Sequence, residues 1–269
     1  MSWWGKALGG AMGFLIGGPL GALVGAALGH GVDRKAAEYT LHVLHGGLNP
    51  GDQQRVQAAF FTATFSVMGH VAKVDGRVCQ DEIEIARRVM ERLNLGPELK
   101  QAAMRLFNEG KRADFPLQQI LAQFKQECQR RRSLLRMFLE VLLQAAYADG
   151  VMHPAERILL LRVSGELGFS AAEFGQLEGM IAAARGFDAG AGRAAQTNKP
   201  SLADAYATLN VTAEAGDEDI KKAYRRLLSQ HHPDKLVAKG LPEEMMKMAT
   251  ERTHQIRSAY ERIRETRGF

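Results

Sequence analysis

Near the C-terminus stand three adjacent residues, His232-Pro233-Asp234, that pair an imidazole with a carboxylate across a rigid proline. Such groups could exchange protons with a substrate. No nucleophile, cluster of His ligands or phosphate-binding glycine loop accompanies them, so they do not build a self-contained active site. Read alone, a lone histidine beside a helix is an ordinary structural residue. A second set of candidates recurs. Val67, Ala72, Asp75, Gly76, Glu82, Arg88, Val89 and Leu93 reappear 74 residues later as Val141, Ala146, Asp149, Gly150, Glu156, Arg162, Val163 and Leu167. Asp75, Glu82, Asp149 and Glu156 could offer oxygen ligands to a divalent cation. Two acids per turn is a thin ligand set, and there is no EF-hand loop. Turn chemistry explains the same residues more simply: Gly accepts a positive φ after a helix, Asp supports the turn, and Glu suits the next helix N-terminus. Structure therefore outweighs metal at these positions.

The remaining reactive groups say less. Cys79 and Cys128 lie far apart with no CxxC pair, which suggests neither a zinc site nor a disulfide framework. Net charge is +5 over 269 residues, too mild for a dedicated nucleic-acid binder. No nucleic-acid partner is expected, because no basic, aromatic-lined strand surface is visible. The run Arg130-Arg131-Arg132 reads as a solvated helix end or a contact for lipid headgroups.

The elements that must position these residues are helical. Apolar residues recur at three- and four-residue spacing over 53–74, 81–95, 117–128, 134–148, 155–167 and 171–184. No run alternates as a strand would. Residues 36–184 read as an all-α bundle, with Gly96-Pro97 and His153-Pro154 as punctuation. Residues 185–200 lose periodicity, turn small and polar, and read as a flexible linker. Over 201–269 the pattern predicts a short helix capped by Ser201 and ending near Leu209, then a long helix from Asp217. That helix has Ile220, Tyr224, Leu227 and His231 on its inner face. Pro233 disfavours helix at His232 and ends it there. A further helix should start at Pro242 and bury Met245, Met248, Ile256, Ala259, Tyr260 and Ile263. The two long helices should pair antiparallel and present His232-Pro233-Asp234 at one end. Lys221 with Arg225, and Lys222 with Arg226, are like-charge pairs at i,i+4, each costing a few tenths of a kcal/mol. This module is nearly neutral, with 12 Lys plus Arg against 11 Asp plus Glu, so its positive charge is concentrated. A concentrated basic face suits an acidic partner surface.

The N-terminus has another character. After a short tail, 1–6, residues 7–29 carry no charged side chain; as a helix these 23 residues would span about 35 Å, enough for a hydrocarbon core of about 30 Å. Trp3 and Trp4 stand where an interfacial aromatic belt belongs. Glycine recurs at every fourth position, including Gly9, Gly13, Gly17, Gly21 and Gly25, along one stripe of such a helix. In lipid a stripe without side chains allows close helix pairing, so 7–29 reads as a transmembrane helix that associates with a second copy. A cleaved signal peptide and a glycine-rich hairpin outside the membrane are the alternatives. Lys6 before the span against Arg34 and Lys35 after it favours a cytoplasmic C-terminal part.

Two resemblances follow. The duplicated A-x-x-D-G-x-x-x-x-x-E pattern resembles the TerB-like, tellurite-resistance type of α-helical domain. The segment Asp219-Ile-Lys-Lys-Ala-Tyr-Arg-Arg-Leu-Leu-Ser-Gln-His-His-Pro-Asp-Lys235, followed by Gln255-Ile-Arg-Ser-Ala-Tyr-Glu-Arg-Ile263, closely resembles helix II, the loop and helix III of J domains. Ala205-Tyr206 to Val211 looks like helix I. The J-domain resemblance implies docking on a DnaK-type chaperone and stimulation of that partner's ATP hydrolysis. Lys221, Arg225 and Arg226 would make the electrostatic contacts, and His232, Pro233 and Asp234 would be the trigger, with Asp234 pairing to a cation of the partner. This chain would then be no enzyme and need no cofactor, since the partner binds ATP. Membrane span, TerB-like middle and C-terminal J domain together resemble the DjlA-type family of membrane-anchored J proteins. That resemblance implies an inner-membrane location, a periplasmic N-terminus, dimerisation through the span, and a link to envelope stress signalling. The competing reading is a membrane scaffold whose J-like module does not stimulate an ATPase.

Overall fold

The computed structural model describes residues 18–24, 52–74, 90–91, 95–129, 131–147, 151–190, 201–242 and 245–269, with 184–190 as backbone only. Among them no strand occurs. The order is α1 (Asp52–Ala72), α2 (Pro97–Gly110), α3 (Leu117–Glu127), α4 (Arg132–Ala146), α5 (Pro154–Glu166), α6 (Ala171–Gly190), α7 (Leu202–Leu209), α8 (Asp217–His231), α9 (Pro233–Ala238) and α10 (Met246–Arg267).

Helices α1 to α6 form the bundle. At its centre Phe60, Phe124 and Phe138, from three different helices, meet ring to ring with centroids 4.7 to 6.3 Å apart. Such offset and edge contacts add to the burial of the rings themselves. α1 and α2 approach closely because glycine faces backbone: a Cβ on Gly69 would fall 2.0 Å from the Phe107 carbonyl oxygen, and one on Gly110 only 1.8 Å from that of Ser66. α2 is absent from the periodic segments read from the sequence. Pro97 was taken there as punctuation, whereas it occupies the first turn of this helix, where a missing N–H costs nothing. Leu99, Ala102, Ala103, Leu106 and Phe107 then supply its buried stripe. Of the helix expected over 81–95, residues 90–91 and 95 lie within the described residues; 90–91 are helical and Leu95 is not.

Residues 18–24 are helical, and their backbone turns into the helix at Gly18, whose φ is +60°. Leu20, Leu23 and Val24 are buried in the bundle's core, and the Leu20 N–H donates to Gln123 Oε1 at 2.8 Å. Gly21 is buried there too, while Gly9, Gly13, Gly17 and Gly25 lie outside the described residues. Among the described residues no helix is long and apolar enough to cross a membrane.

The linker expected from 185 starts later than its composition suggests. α6 continues as helix through Gly190, carried on by Ala182-Ala183-Ala184, the best helix formers available; 191–200 lie outside the described residues. α7, α8 and α10 build a second core from Ala205, Leu209, Ile220, Leu227, Ile256, Ala259 and Ile263, which Met180 of α6 completes. A different set of C-terminal residues, Leu236, Leu241, Met245, Met248 and Ala249, joins the bundle's core instead.

Candidate functional site: a trigger loop held against the bundle

α8 and α10 run antiparallel. Asp217 meets Arg267 at one end, Tyr224 stacks on Tyr260 in the middle with centroids 4.1 Å apart, and the Thr253 hydroxyl donates to the His231 carbonyl at 3.0 Å at the other end. The first end is closed by one side chain. The Arg267 guanidinium donates to the Tyr206 hydroxyl at 2.7 Å, to the Ala215 carbonyl at 2.7 Å, to Asp217 at 3.1 Å and to the Ala213 carbonyl. α7 begins at Ser201, whose hydroxyl accepts from the Asp204 N–H at 3.1 Å, and it stops at Asn210 in the left-handed region. Both ends follow ordinary capping chemistry.

At the other end α8 stops at His231. His232 takes an extended conformation, φ −61° and ψ 122°, because the proline after it excludes helix, and Pro233 opens α9 as its first residue. Of the three, Asp234 is exposed, its side chain 85% so, while His232, with a side chain 43% exposed, and Pro233 are half-buried. Their side chains are 3.9 Å apart, too long for a hydrogen bond. On α8, Lys222, Arg225 and Arg226 are exposed, while half-buried Lys221 pairs with Glu218 at 3.0 Å and lies 5.3 Å from the Phe269 ring. The structure thus brings the basic residues and His232-Pro233-Asp234 onto one helix and the loop that follows it.

The loop is fastened on both sides. Behind it, the Leu241 N–H closes back on the Leu236 carbonyl at 2.9 Å. Gly240, at φ +100°, lies so near α1 that a Cβ would meet Val56 Cγ1 at 2.7 Å. Gln53 donates to the Val237 carbonyl at 3.3 Å, and Lys239 donates to the Ser133 hydroxyl at 3.1 Å. Before it, His231 is buried against Glu140 of α4, with Nε2 3.6 Å from Oε1. Arg252 Nε lies 4.0 Å from the other carboxylate oxygen, and Arg136 Nε donates to Oε1 at 3.3 Å. Glu140, His231 and Arg252 are each at most 2% exposed.

Burial alone raises the Glu140 carboxyl, but the charges of Arg252 and Arg136, and of His231 once it is protonated, outweigh it and hold the group below its ordinary value. Burial pushes His231 down to about 4; Glu140 pulls the other way, and the two arginines add to the fall. At neutral pH the cluster is therefore one carboxylate facing two guanidinium groups across a neutral imidazole.

The remaining candidates are not assembled into a site. Asp75, Glu82 and Asp149 lie outside the described residues. Glu156 caps α5 by accepting from the His153 N–H at 2.9 Å, in a reciprocal capping box. Among the described residues no group of three His, Cys, Asp or Glu could hold a metal. Arg132 is no free basic end: it pairs with Glu173 at 2.7 Å and lies over the Phe169 ring. Reading by type and spacing missed Glu140 and Arg252. A signal was present in Met137-Phe138-Leu139-Glu140-Val141-Leu142-Leu143, where one acid interrupts an apolar run.

Comparison with known proteins matches three families along the chain. The Co-chaperone DjlA transmembrane domain matches residues 1–54, Tellurite resistance protein TerB matches 61–178, and the DnaJ domain matches 204–267. Proteins named Co-chaperone protein DjlA are similar over the whole length: that of Photobacterium profundum is 42% identical with 99% of each chain covered. Those of Coxiella burnetii and Vibrio cholerae are 43% and 44% identical with 100% of each chain covered. No solved structure matches.

Proposed function

The chain belongs to the DjlA family of co-chaperones, and from that premise we propose that its J domain stimulates ATP hydrolysis by a DnaK-type chaperone. The observation that carries this reading is the placement of His232, Pro233 and Asp234. They lie at the tip of an antiparallel helix pair, Asp234 exposed and His232 and Pro233 half-buried, on the same module as the exposed basic side chains Lys222, Arg225 and Arg226. Lys221, Arg225 and Arg226 attract the acidic surface of the chaperone, Pro233 fixes the loop, and Asp234 pairs with a cation of the partner. The ATP-splitting chemistry stays in the partner. This chain acts as a regulator rather than an enzyme and carries no cofactor of its own.

The match over residues 1–54 makes this a membrane-anchored co-chaperone. The finer topology belongs to the proposal: a single pass in the inner membrane, a periplasmic N-terminus and cytoplasmic domains, supported by Lys6 against Arg34 and Lys35. So does a homodimer through the glycine stripe at Gly9, Gly13, Gly17 and Gly25, supported by its four-residue spacing, while Gly21 is buried beside Leu20 and Leu23 instead. A link to envelope stress is the physiological setting that fits such an anchor.

The test is single-turnover ATP hydrolysis by a DnaK-type chaperone with the full chain in lipid nanodiscs. Clear stimulation, lost on His232→Gln, supports the reading. A folded chain that leaves hydrolysis unchanged sinks it and makes the membrane scaffold the better account.

A further inference from the structure

Between Asp217 and Leu241 the J domain shares a core with Met180 of α6 through Ile220 and Leu227, and it meets the bundle again on each side of the trigger. On one side His231 is buried against Glu140, and on the other Leu236 and Leu241 are buried in the bundle's core. Between them Asp234 and Lys235 are exposed and His232 and Pro233 half-buried. The Thr253 hydroxyl lies between the His231 carbonyl at 3.0 Å and the Ala249 carbonyl at 2.9 Å and shares one proton between them, and Arg252 beside it faces Glu140. A bundle side chain therefore bears on the residue directly before His232 and on the helix that crosses behind it. The basic residues are placed elsewhere. Lys222, Arg225 and Arg226 lie one to two turns up α8 and are exposed. Attraction of the chaperone and geometry of the trigger thus depend on different parts of the molecule.

We propose that Glu140, in the TerB-like bundle, is a positioning residue for the His-Pro-Asp trigger of the J domain. It acts through His231 and Arg252, and it makes the bundle part of the stimulating machinery rather than a spacer between anchor and J domain. The polar contacts suit this role better than a purely structural one. Glu140 Oε2, both ring nitrogens of His231, and Nε and Nη2 of Arg252 make no hydrogen bond among the described residues. A buried cluster so incompletely bonded contributes little to stability against an apolar replacement, while it penalises any shift that separates its charges. It fixes a register.

The inference rests on the chaperone-stimulating reading above, and one experiment separates the two. Stimulation of a DnaK-type chaperone is titrated with the full chain in nanodiscs, wild type against Glu140→Gln. The expected result is a fall of about threefold or more in maximal stimulation, as the trigger loosens, with the half-saturating concentration within about twofold of wild type. Backbone amide exchange should quicken over 232–236 and stay unchanged over 222–226. Wild type that stimulates beside a variant equal to it, stronger than it, or weaker only in half-saturation overturns the proposal. Wild type that does not stimulate overturns the functional reading itself. Should Glu140→Gln melt the bundle, Arg252→Gln removes the opposite end of the same pair and is judged by the same two readouts.

Discussion

The imidazole Nε2 of His231 lies 3.6 Å from the Glu140 carboxylate, across the seam between the J domain and the bundle, and neither side chain reaches solvent. That contact places a titratable pair inside the seam.

Acid should loosen the seam. His231 titrates near 4 when folded, below its ordinary 6.5, so the unfolded or undocked state binds the proton more tightly. Stability then rises with pH between about 4 and 6.5 and is lost as pH falls through that window. Glu140, also held low, has the same sign: its contribution disappears as pH drops through its folded value. Thermal melts of the full chain should fall in Tm from pH 7 to 4, by an amount equivalent to a few kcal/mol at most. His231→Gln should flatten the curve across the upper part of that window. An identical slope in wild type and variant would remove His231 as the source.

Glycine at the crossing of α1 and α2 is a steric requirement. A Cβ on Gly110 would lie 1.8 Å from the Ser66 carbonyl oxygen, which is backbone and cannot swing away. Gly110→Ala should destabilise the bundle by about 3 kcal/mol or more, at or beyond the usual cost of overpacking. Gly165→Ala, which meets no atom within 4 Å in the last turn of α5, should be neutral or slightly stabilising. Denaturant midpoints of the two variants make the comparison.

How much of this was legible in the sequence depended on the range of the interaction. The capping of α7 by Ser201, the stop at His231 and the inner-face placement of Tyr224 and Tyr260 are local, and residue type with spacing predicts them; that the two rings stack is not legible there. The burial of Met245 and Met248 was foretold as well, but not its destination. Periodicity says that a face is buried; it does not say against what, and these two pack on the bundle rather than within the helix pair. α2 was hidden by a proline that serves equally as helix breaker and helix starter. Glu140 was hidden because its partners stand 91 and 112 residues away, at His231 and Arg252. Helical spacing carries no information at that distance.

Arg267 should prove the strongest single polar contributor to the J domain. Its guanidinium serves two carbonyls, a phenol and a carboxylate, and so ties α10 to α7 and to the start of α8. Arg267→Ala should destabilise the J domain, since four acceptors lose their donor at once. Arg267→Lys should recover only part, since an ammonium lacks the planar fork that reaches several acceptors at once. Chemical denaturation followed by far-UV circular dichroism would register both. A lysine variant equal to wild type would reduce the role of Arg267 to charge alone.

The basic face of α8 should govern attraction and leave the trigger intact. Lys222, Arg225 and Arg226 are solvent-exposed, so their field acts on an approaching partner before contact and is screened by salt. Replacing Arg225 and Arg226 together by alanine should raise the half-saturating concentration for chaperone stimulation by about tenfold at low salt and by much less at high salt. The fold should be unaffected, since exposed substitutions seldom change stability by more than about 0.5 kcal/mol, and removing two like charges relieves repulsion with Lys221 and Lys222. Maximal stimulation should be retained, because His232, Pro233 and Asp234 keep their anchors at His231 and Leu236. His232→Gln should do the reverse: maximal stimulation falls and half-saturation holds. If both variants instead lost the same parameter, attraction and triggering would belong to one surface, and the division of labour between helix and loop would fail.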